Sequence, residues 1–230
     1  MAERLVRLIA NKAGPFRLAV SGGSTPRGLY ELLGSERVAR RIPWPRIHLF
    51  FADERCVPSD HRDSNFGLVK SALLDRLSTP PGCVFRMDCD GADAQEAARR
   101  YSAILLSELG SGSSAHALDL VLLGVGPDGH TASLFPGAET LSGENRPALP
   151  TLAPAGSRHE RVTLSLPVLQ RSREVWFLVT GSAKASLIRE IHRGDGPGLL
   201  PAARVEVRPG QATWFLDRDA AAGLESDGSF

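Results

Sequence analysis

One apolar run and the turn behind it constrain this chain of 230 residues more than any other feature. Residues 118–123 read LDLVLL, apolar apart from Asp119, which is typical of a strand buried on both faces of a sheet. The turn at 124–130 contains three glycines and a proline, the residues that a tight turn after such a strand requires. Because ligands bind at the carboxyl ends of strands in α/β sheets, this turn is the first candidate for a functional site.

Two residues in this turn can carry acid–base chemistry. Asp128 and His130 are two positions apart. A histidine exchanges a proton near neutral pH, and a carboxylate beside it can fix the tautomer of the ring and hold it as a general base. We therefore predict that Asp128 and His130 are the catalytic residues. The five other histidines lack comparable neighbours, which favours surface or packing roles for them.

Strand patterns alternate with amphipathic helix patterns along the rest of the chain. Strands are predicted at 16–20, 46–51, 84–87, 162–166, 174–179 and 211–216, and the clearest helix at 94–109. This alternation predicts an α/β fold with a mostly parallel, Rossmann-like sheet flanked by helices, together with a few additional strands. We expect one domain over residues 1–230, with a lid or loop at 136–161 and a frayed tail at 221–230.

A second glycine turn, SGGSTP at residues 21–26, lies between a predicted strand and a predicted helix with Ser24 or Thr25 as its N-cap. Free backbone N–H groups and the positive end of the helix dipole attract an anion to such a turn. The segment matches neither common nucleotide-binding pattern, which favours a small sugar phosphate. We assign Gly22, Gly23, Ser24 and Thr25 to this site, although a glycine turn with an ordinary cap explains the segment equally well.

Three more polar residues are predicted near the same edge of the sheet. Arg55, after the second strand, could bind phosphate or carboxylate with two hydrogen bonds, although pairing with Asp53 or Glu54 is the simpler explanation. Asn65 falls in the first turn of the next helix. Lys184 also falls in the first turn of a helix, where the dipole disfavours a cation unless an anion is bound.

Residues 136–161 show no helix or strand period and contain four prolines. Connections of this length in a compact domain are usually functional lids or disordered segments. We prefer a lid over the turn that carries His130. Arg146, with Arg158 or Arg161, could reach the site from it.

The composition argues against several kinds of partner. The 27 basic residues are interleaved with 26 acidic ones, so no basic stripe predicts binding to nucleic acid or to an anionic membrane. The apolar runs are shorter than the ~18–20 residues that span a bilayer, and no secretory leader is evident, so we expect a cytosolic protein. Three cysteines without zinc-ligand spacing favour reduced structural thiols. We predict no metal, no cofactor and no obligate protein partner.

Five segments resemble one known family, namely SGGSTP at 21–26, FFADER at 50–55, DSNFG at 63–67, LGVGPDGHTASLFPG at 123–137 and VTGSAK at 179–184. They are similar to motifs of the 6-phosphogluconolactonase family, in the wider group that includes glucosamine-6-phosphate deaminase, and the resemblance runs over nearly the whole chain. It implies a sugar-phosphate isomerase/deaminase-like fold and metal-independent hydrolysis of 6-phospho-D-glucono-1,5-lactone to 6-phospho-D-gluconate in the oxidative pentose phosphate pathway. It also implies that His130 is the general base and that Arg55 and Lys184 contact phosphate or carboxylate groups.

Two alternatives stay open beside the lactonase. Relatives that act on glucosamine 6-phosphate as isomerase and deaminase carry DGHIAFNEPG, whose acidic residue is absent from TASLFP at residues 131–136 here. That activity therefore ranks second. A non-catalytic sugar-phosphate sensor is the other alternative, but such regulators generally carry a helix-turn-helix segment, which we do not find in this sequence.

Overall fold

The computed structural model describes residues 1–90, 92–110, 118–138, 146–152, 159–193, 200–208 and 210–224. The strands are β1 (Phe16–Val20), β2 (Ile47–Phe51), β3 (Asp53–Arg55), β4 (Cys83–Val84), β5 (Leu120–Leu123), β6 (Ala148–Thr151), β7 (Arg161–Leu164), β8 (Glu174–Val179) and β9 (Gln211–Leu216). The α-helices are α1 (Ala2–Asn11), α2 (Ser24–Leu33), α3 (Glu36–Ala39), α4 (Asn65–Ala72), α5 (Ala94–Leu109), α6 (Leu166–Gln170), α7 (Ala185–Arg193) and α8 (Arg218–Ala221). Short 3-10 turns occur at Trp44–Arg46, Leu74–Arg76 and Ser182–Lys184.

The larger sheet is parallel and has the strand order β4-β2-β1-β5-β8-β9. Every residue of β5 is buried, as its apolar sequence predicts for a strand covered on both faces. Asp119, the one polar residue of that run, precedes the strand and accepts a hydrogen bond from the backbone N–H of Arg17 at 2.8 Å. The prediction of a mostly parallel sheet with flanking helices is confirmed.

The connections of β1 create a crevice at one edge of this sheet. The chain passes from β1 to β2 on one side, whereas β5 pairs with the other side of β1. Helix connections diverge at such a switch point, which leaves an open space beyond the carboxyl ends of the two strands. The glycine turns after β1 and β5 both lie there.

A smaller antiparallel sheet has the order β3-β7-β6. Strand β3 follows β2 after a single residue, Ala52, whose N–H bonds to Val20 and whose carbonyl accepts the N–H of Leu164. The pairing of β3 with β7 places Arg55 directly opposite Arg161. The sequence prediction missed β3 because its three residues are all charged.

The prediction of a lid or loop over 136–161 is wrong for residues 148–151, which form β6. Pro150 lies in this strand, and proline is tolerated there because β6 is an edge strand whose outer side needs no backbone donor. Residues 139–145 and 153–158 lie outside the described part of the chain. A lid over His130 therefore stays a prediction.

The predicted frayed tail begins at Ala221, which is the last residue of α8. Asp217 caps this helix by accepting the N–H of Ala220 at 2.8 Å. The chain is described as far as Leu224, and residues 225–230 lie outside the described part.

None of the helices in the described ranges combines the length and apolar character that are needed to cross a membrane.

We predict that Tyr101→Phe destabilises the fold more than Tyr30→Phe does. The buried Tyr101 hydroxyl accepts the N–H of Phe51 at 2.9 Å and donates to its carbonyl at 3.1 Å, whereas the Tyr30 hydroxyl makes one bond within the described part of the chain, to the carbonyl of Ser21. Unpaired buried groups cost about 1–3 kcal/mol, so Tyr101→Phe is expected to lower the free energy of unfolding by about 2 kcal/mol and Tyr30→Phe by about 1 kcal/mol. Urea denaturation measures both changes, and the reverse ranking would contradict the prediction.

Candidate active site

A cleft of about 280 Å³ opens at the carboxyl ends of β1, β5 and β8, beside the smaller sheet. Its lining includes all the residues predicted for the site except Asp128, namely Gly22, Gly23, Ser24, Thr25, Arg55, Asn65, His130 and Lys184. Four segments that are distant in sequence therefore meet at one place.

The acid–base pair lies in the turn after β5. Nδ1 of His130 is 2.5 Å from a carboxylate oxygen of Asp128, and the backbone N–H of His130 donates to the same oxygen at 3.2 Å. Burial raises the pKa of Asp128, but the backbone N–H and the ring of His130 together lower it by more. The net pKa therefore lies below the ordinary value. An ionised carboxylate at Nδ1 favours the tautomer with its proton on Nδ1, which leaves Nε2 to accept a proton.

Packing fixes the orientation of the His130 ring. A Cβ atom at Gly126 would lie 2.1 Å from Nδ1 and Cε1 of His130, so the ring lies directly against the glycine backbone. The ring of Phe135 lies 4.8 Å away, centroid to centroid. Gly129 has a φ of +79°, and the N–H of Gly126 donates to the His130 carbonyl at 2.8 Å, which closes the turn. Gly126 is thus required by the close approach of the His130 ring, and Gly129 by its positive φ.

The turn after β1 presents the first turn of α2 to the cleft. The helix begins at Ser24 with Gly23 as its N-cap, so the prediction of Ser24 or Thr25 as the cap is wrong. Gly23 has a φ of +101°, a conformation that glycine adopts without strain. Because glycine has no side chain to accept a hydrogen bond from the helix, the N–H groups of the first turn are available to an anion.

Asn65 connects the glycine turn to Arg55. A Cβ atom at Gly22 would lie 1.8 Å from Oδ1 of Asn65, and the same oxygen accepts a 2.5 Å hydrogen bond from Nη1 of Arg55. The amide nitrogen of Asn65 donates to the backbone carbonyl of Asp53 at 2.8 Å. Within the described residues Arg55 forms no ion pair with Asp53 or Glu54, and its guanidinium donates to neutral acceptors, the carbonyl of Asp63 and the side-chain amide of Asn65.

Glu54 has a structural role that the sequence did not reveal. Its buried carboxylate accepts the N–H groups of Asn65 and Phe66 at 2.7 and 2.8 Å, the first donors of α4. Burial raises the pKa of Glu54 above its ordinary value, and the N–H groups of Phe66, Asn65 and Arg55 offset only part of this rise. The carboxylate therefore fixes the start of α4 and, with it, the position of Asn65.

Arg161 is the site residue that sequence reasoning identified least clearly. The sequence offers Arg158 or Arg161 as the arginine that reaches the site, and Arg158 lies outside the described residues. Nη1 of Arg161 is 3.5 Å from the hydroxyl of Ser133, and its buried Nε has no hydrogen-bond partner among the described residues. Burial lowers the pKa of Arg161, and the positive charge of Arg55 lowers it further. A buried donor without an acceptor, beside a second cation, attracts an anionic ligand.

Lys184 is the third cationic side chain in the lining of the cleft, with Arg55 and Arg161. It ends the 3-10 turn before α7 and lines the cleft. Burial lowers the pKa of Lys184 below its ordinary value, and the carboxylate of Asp128 offsets only part of this fall. The carboxylate of Asp128 therefore interacts electrostatically with the ammonium group of Lys184.

One cluster near the cleft could hold a metal ion among the described residues. Potential ligand atoms of His61, Asp63 and His159 lie within 4.8 Å of one another. Nδ1 of His61 already accepts the backbone N–H of Asp63 at 3.1 Å, which occupies that nitrogen. Independence of a metal stays a prediction.

Fold and site together define an α/β protein with a cleft that is lined by cationic side chains and has a histidine–carboxylate pair at its edge. Residues 1–214 match the family described as glucosamine-6-phosphate isomerases/6-phosphogluconolactonase. The chain belongs to this family.

Individual relatives agree with this assignment over nearly the whole chain. The 6-phosphogluconolactonase of Rattus norvegicus is 38% identical over 226 residues, which cover 96% of this chain and 85% of the relative. The 6-phosphogluconolactonase of Synechocystis sp. is 36% identical over 229 residues, covering 97% and 90%. A crystal structure of 6-phosphogluconolactonase from Thermotoga maritima has a TM-score of 0.79 and 30% identity, covering 94% of this chain and 92% of that one.

We predict that Gly126→Ala displaces the His130 ring, whereas Gly124→Ala does not. The new methyl group at 126 would overlap Nδ1 of His130, but a Cβ atom at Gly124 meets no atom within 4 Å. Histidine ring ¹H–¹⁵N NMR spectra measure the effect, because loss of the Asp128 contact changes the chemical shift of Nδ1. An unchanged His130 signal in Gly126→Ala would contradict the packing described above.

Proposed function

We propose that this protein hydrolyses 6-phospho-D-glucono-1,5-lactone to 6-phospho-D-gluconate, a reaction of the oxidative pentose phosphate pathway. The observation that carries the proposal is the position of the His130–Asp128 pair in the same cleft as a cluster of anion-binding groups. Relatives named 6-phosphogluconolactonase match nearly the whole chain, which supports the same activity here.

The reaction begins with a water molecule beside the lactone carbonyl. His130 removes a proton from this water at Nε2 as the oxygen attacks the carbonyl carbon, and Asp128 stabilises the imidazolium that forms. Collapse of the tetrahedral intermediate breaks the bond to the ring oxygen. His130 then returns its proton to that oxygen, which gives the open-chain acid and regenerates the base.

The tetrahedral intermediate carries a negative oxygen that needs hydrogen-bond donors. The N–H groups of Gly126, Gly129 and His130 already have acceptors within the turn. In the described part of the chain, the N–H groups of Gly22 and Gly23 have none. We therefore assign the oxyanion donors to the turn after β1 rather than to the turn after β5.

The phosphate group anchors the other end of the substrate. Ser24 and Thr25 at the start of α2 supply backbone and hydroxyl donors, and Arg55 and Lys184 supply charge. Asn65 acts through Arg55, which it positions, and Arg161 adds a further cation. Anchoring the phosphate holds the lactone carbon near His130, and such orientation contributes substantially to rate.

Phe135 argues against the deaminase. It stands where the DGHIAFNEPG motif has its acidic residue, and its buried ring packs on His130. Asp128 is thus the one carboxylate in contact with His130 among the described residues. Assays of ammonia release from glucosamine 6-phosphate and of lactone hydrolysis, run on one preparation, distinguish deaminase, lactonase and non-catalytic sensor.

We predict that His130→Ala lowers kcat for lactone hydrolysis by about 10²–10⁴-fold, the usual contribution of a general base. Binding of 6-phosphogluconate, measured by calorimetry, should change less than about threefold, because the anion-binding groups remain. His192→Ala is the matched control, since His192 lies in α7 and contacts the carbonyl of Ile188. Enzyme-free reactions are subtracted because the lactone also opens in water. Turnover by His130→Ala equal to wild type would refute the assigned base.

We predict that Lys184→Met raises KM for the lactone about 10- to 100-fold while kcat changes less than about threefold, because a charge-assisted hydrogen bond contributes roughly 1.5–3 kcal/mol. Lys70→Met is the control, since Lys70 pairs with Asp75 at the surface. Steady-state kinetics measure both constants. A fall in kcat at constant KM would instead assign Lys184 to the transition state and contradict the phosphate role.

The remaining expectations accompany this function as predictions. The protein acts in the cytosol, takes a sugar phosphate lactone as its small-molecule partner, and requires no metal, cofactor, nucleic acid, membrane or obligate protein partner.

A further inference from the structure

Two cysteines outside the cleft lie unusually close together. The Sγ atoms of Cys56 and Cys89 are 2.7 Å apart, although 33 positions separate the residues in the sequence. A disulfide bond is about 2.0 Å long, so the sulfur atoms need to approach by only about 0.7 Å to form one. Both thiols are free and half-buried in this structure.

The backbone around the pair allows this approach. Cys56 directly follows β3, and its N–H donates to the carbonyl of Glu160 at 2.8 Å, which holds it against the chain just before β7. Cys89 lies at the end of a stretch without helix or strand, residues 85–89, between β4 and α5. A small shift of Cys89 breaks no helix or sheet hydrogen bond.

The environment also assigns different roles to the two sulfur atoms. The hydrogen bond with Cys89 lowers the pKa of Cys56, although burial and the carboxylates of Glu160, Glu54 and Asp93 oppose this. The same contact and burial raise the pKa of Cys89. Cys56 is therefore the more readily ionised thiol and the better nucleophile.

We propose that Cys56 and Cys89 form a reversible intramolecular disulfide when the protein meets a peroxide. The Cys56 thiolate attacks one peroxide oxygen and breaks the O–O bond, which gives a sulfenic acid and releases hydroxide. The sulfur of Cys89 then attacks the sulfenic sulfur and displaces its oxygen as a second hydroxide. With the two thiol protons, one hydrogen peroxide is reduced to two waters while two thiols are oxidised to one disulfide. A dithiol reductant reverses the change by thiol–disulfide exchange.

The third cysteine provides a matched control. Cys83 is also half-buried and lies in β4, where it is paired in register with His48. Its sulfur makes no contact with another sulfur among the described residues. Cys83→Ser therefore removes a thiol of similar exposure without removing a member of the pair.

The test treats the folded, fully reduced chain with equimolar hydrogen peroxide, counts thiols after unfolding, and maps linked peptides by mass spectrometry. Wild type is expected to fall from three thiols to one, with Cys56 linked to Cys89, and Cys83→Ser from two to none. Cys56→Ser and Cys89→Ser should form no intramolecular disulfide. Dithiothreitol should restore every lost thiol in wild type.

Three results would overturn the proposal. These are three remaining thiols in wild type, a disulfide that includes Cys83, and irreversible oxidation of Cys56 to a sulfinic acid without linkage to Cys89. Circular dichroism of the oxidised protein checks that the bond forms in the folded state, and a lost helical signal would count against it as well.

Discussion

The pairing of β1 with both β2 and β5 determines where the two glycine turns of the cleft and the segment with Arg55 lie. Since the three strands are parallel, their carboxyl ends lie at one edge of the sheet. Strands β2 and β5 lie on opposite sides of β1, so the connections on the two sides diverge from this edge. Glycine turns follow β1 and β5, and the charged strand β3 follows β2, because these segments must turn sharply away from a buried sheet. The His130–Asp128 pair and the proposed anion-binding groups are therefore brought together by topology, although more than a hundred residues separate Gly22 from His130.

A buried polar network then sets the separation between the two halves of the site. Asp53 accepts the hydroxyl of Ser133 at 2.7 Å and the amide of Asn65 at 3.2 Å. Ser133 belongs to the segment that carries His130, whereas Asn65 supports Arg55 and packs on Gly22. One carboxylate thus connects the acid–base end to the anion-binding end. Hydrogen bonds in a low-dielectric interior are strong, and a missing partner is costly, so this network favours a single geometry of the cleft.

Local patterns in the sequence predicted the parts of the fold that local physics controls. The bounds of β1, β8, β9 and α5 agree with the structure because each is a continuous apolar or amphipathic run between clear breakers. The misses have a different cause. The charged segment Asp53–Arg55 becomes a strand only because β7 is beside it, and Pro150 fits into β6 only because the strand is at an edge. The importance of Arg161 depends on its register opposite Arg55, which no short-range pattern contains.

The opposition of Arg55 and Arg161 across two paired strands has an electrostatic consequence for the cleft. Like charges on facing positions of paired strands repel each other. In addition, the buried Nε of Arg161 has no hydrogen-bond acceptor among the described residues. Repulsive positive charge is therefore concentrated in the lining of the cleft, where both arginines lie. In the proposed function, a phosphate dianion between the two guanidinium groups would offset this repulsion and give the Nε of Arg161 an acceptor.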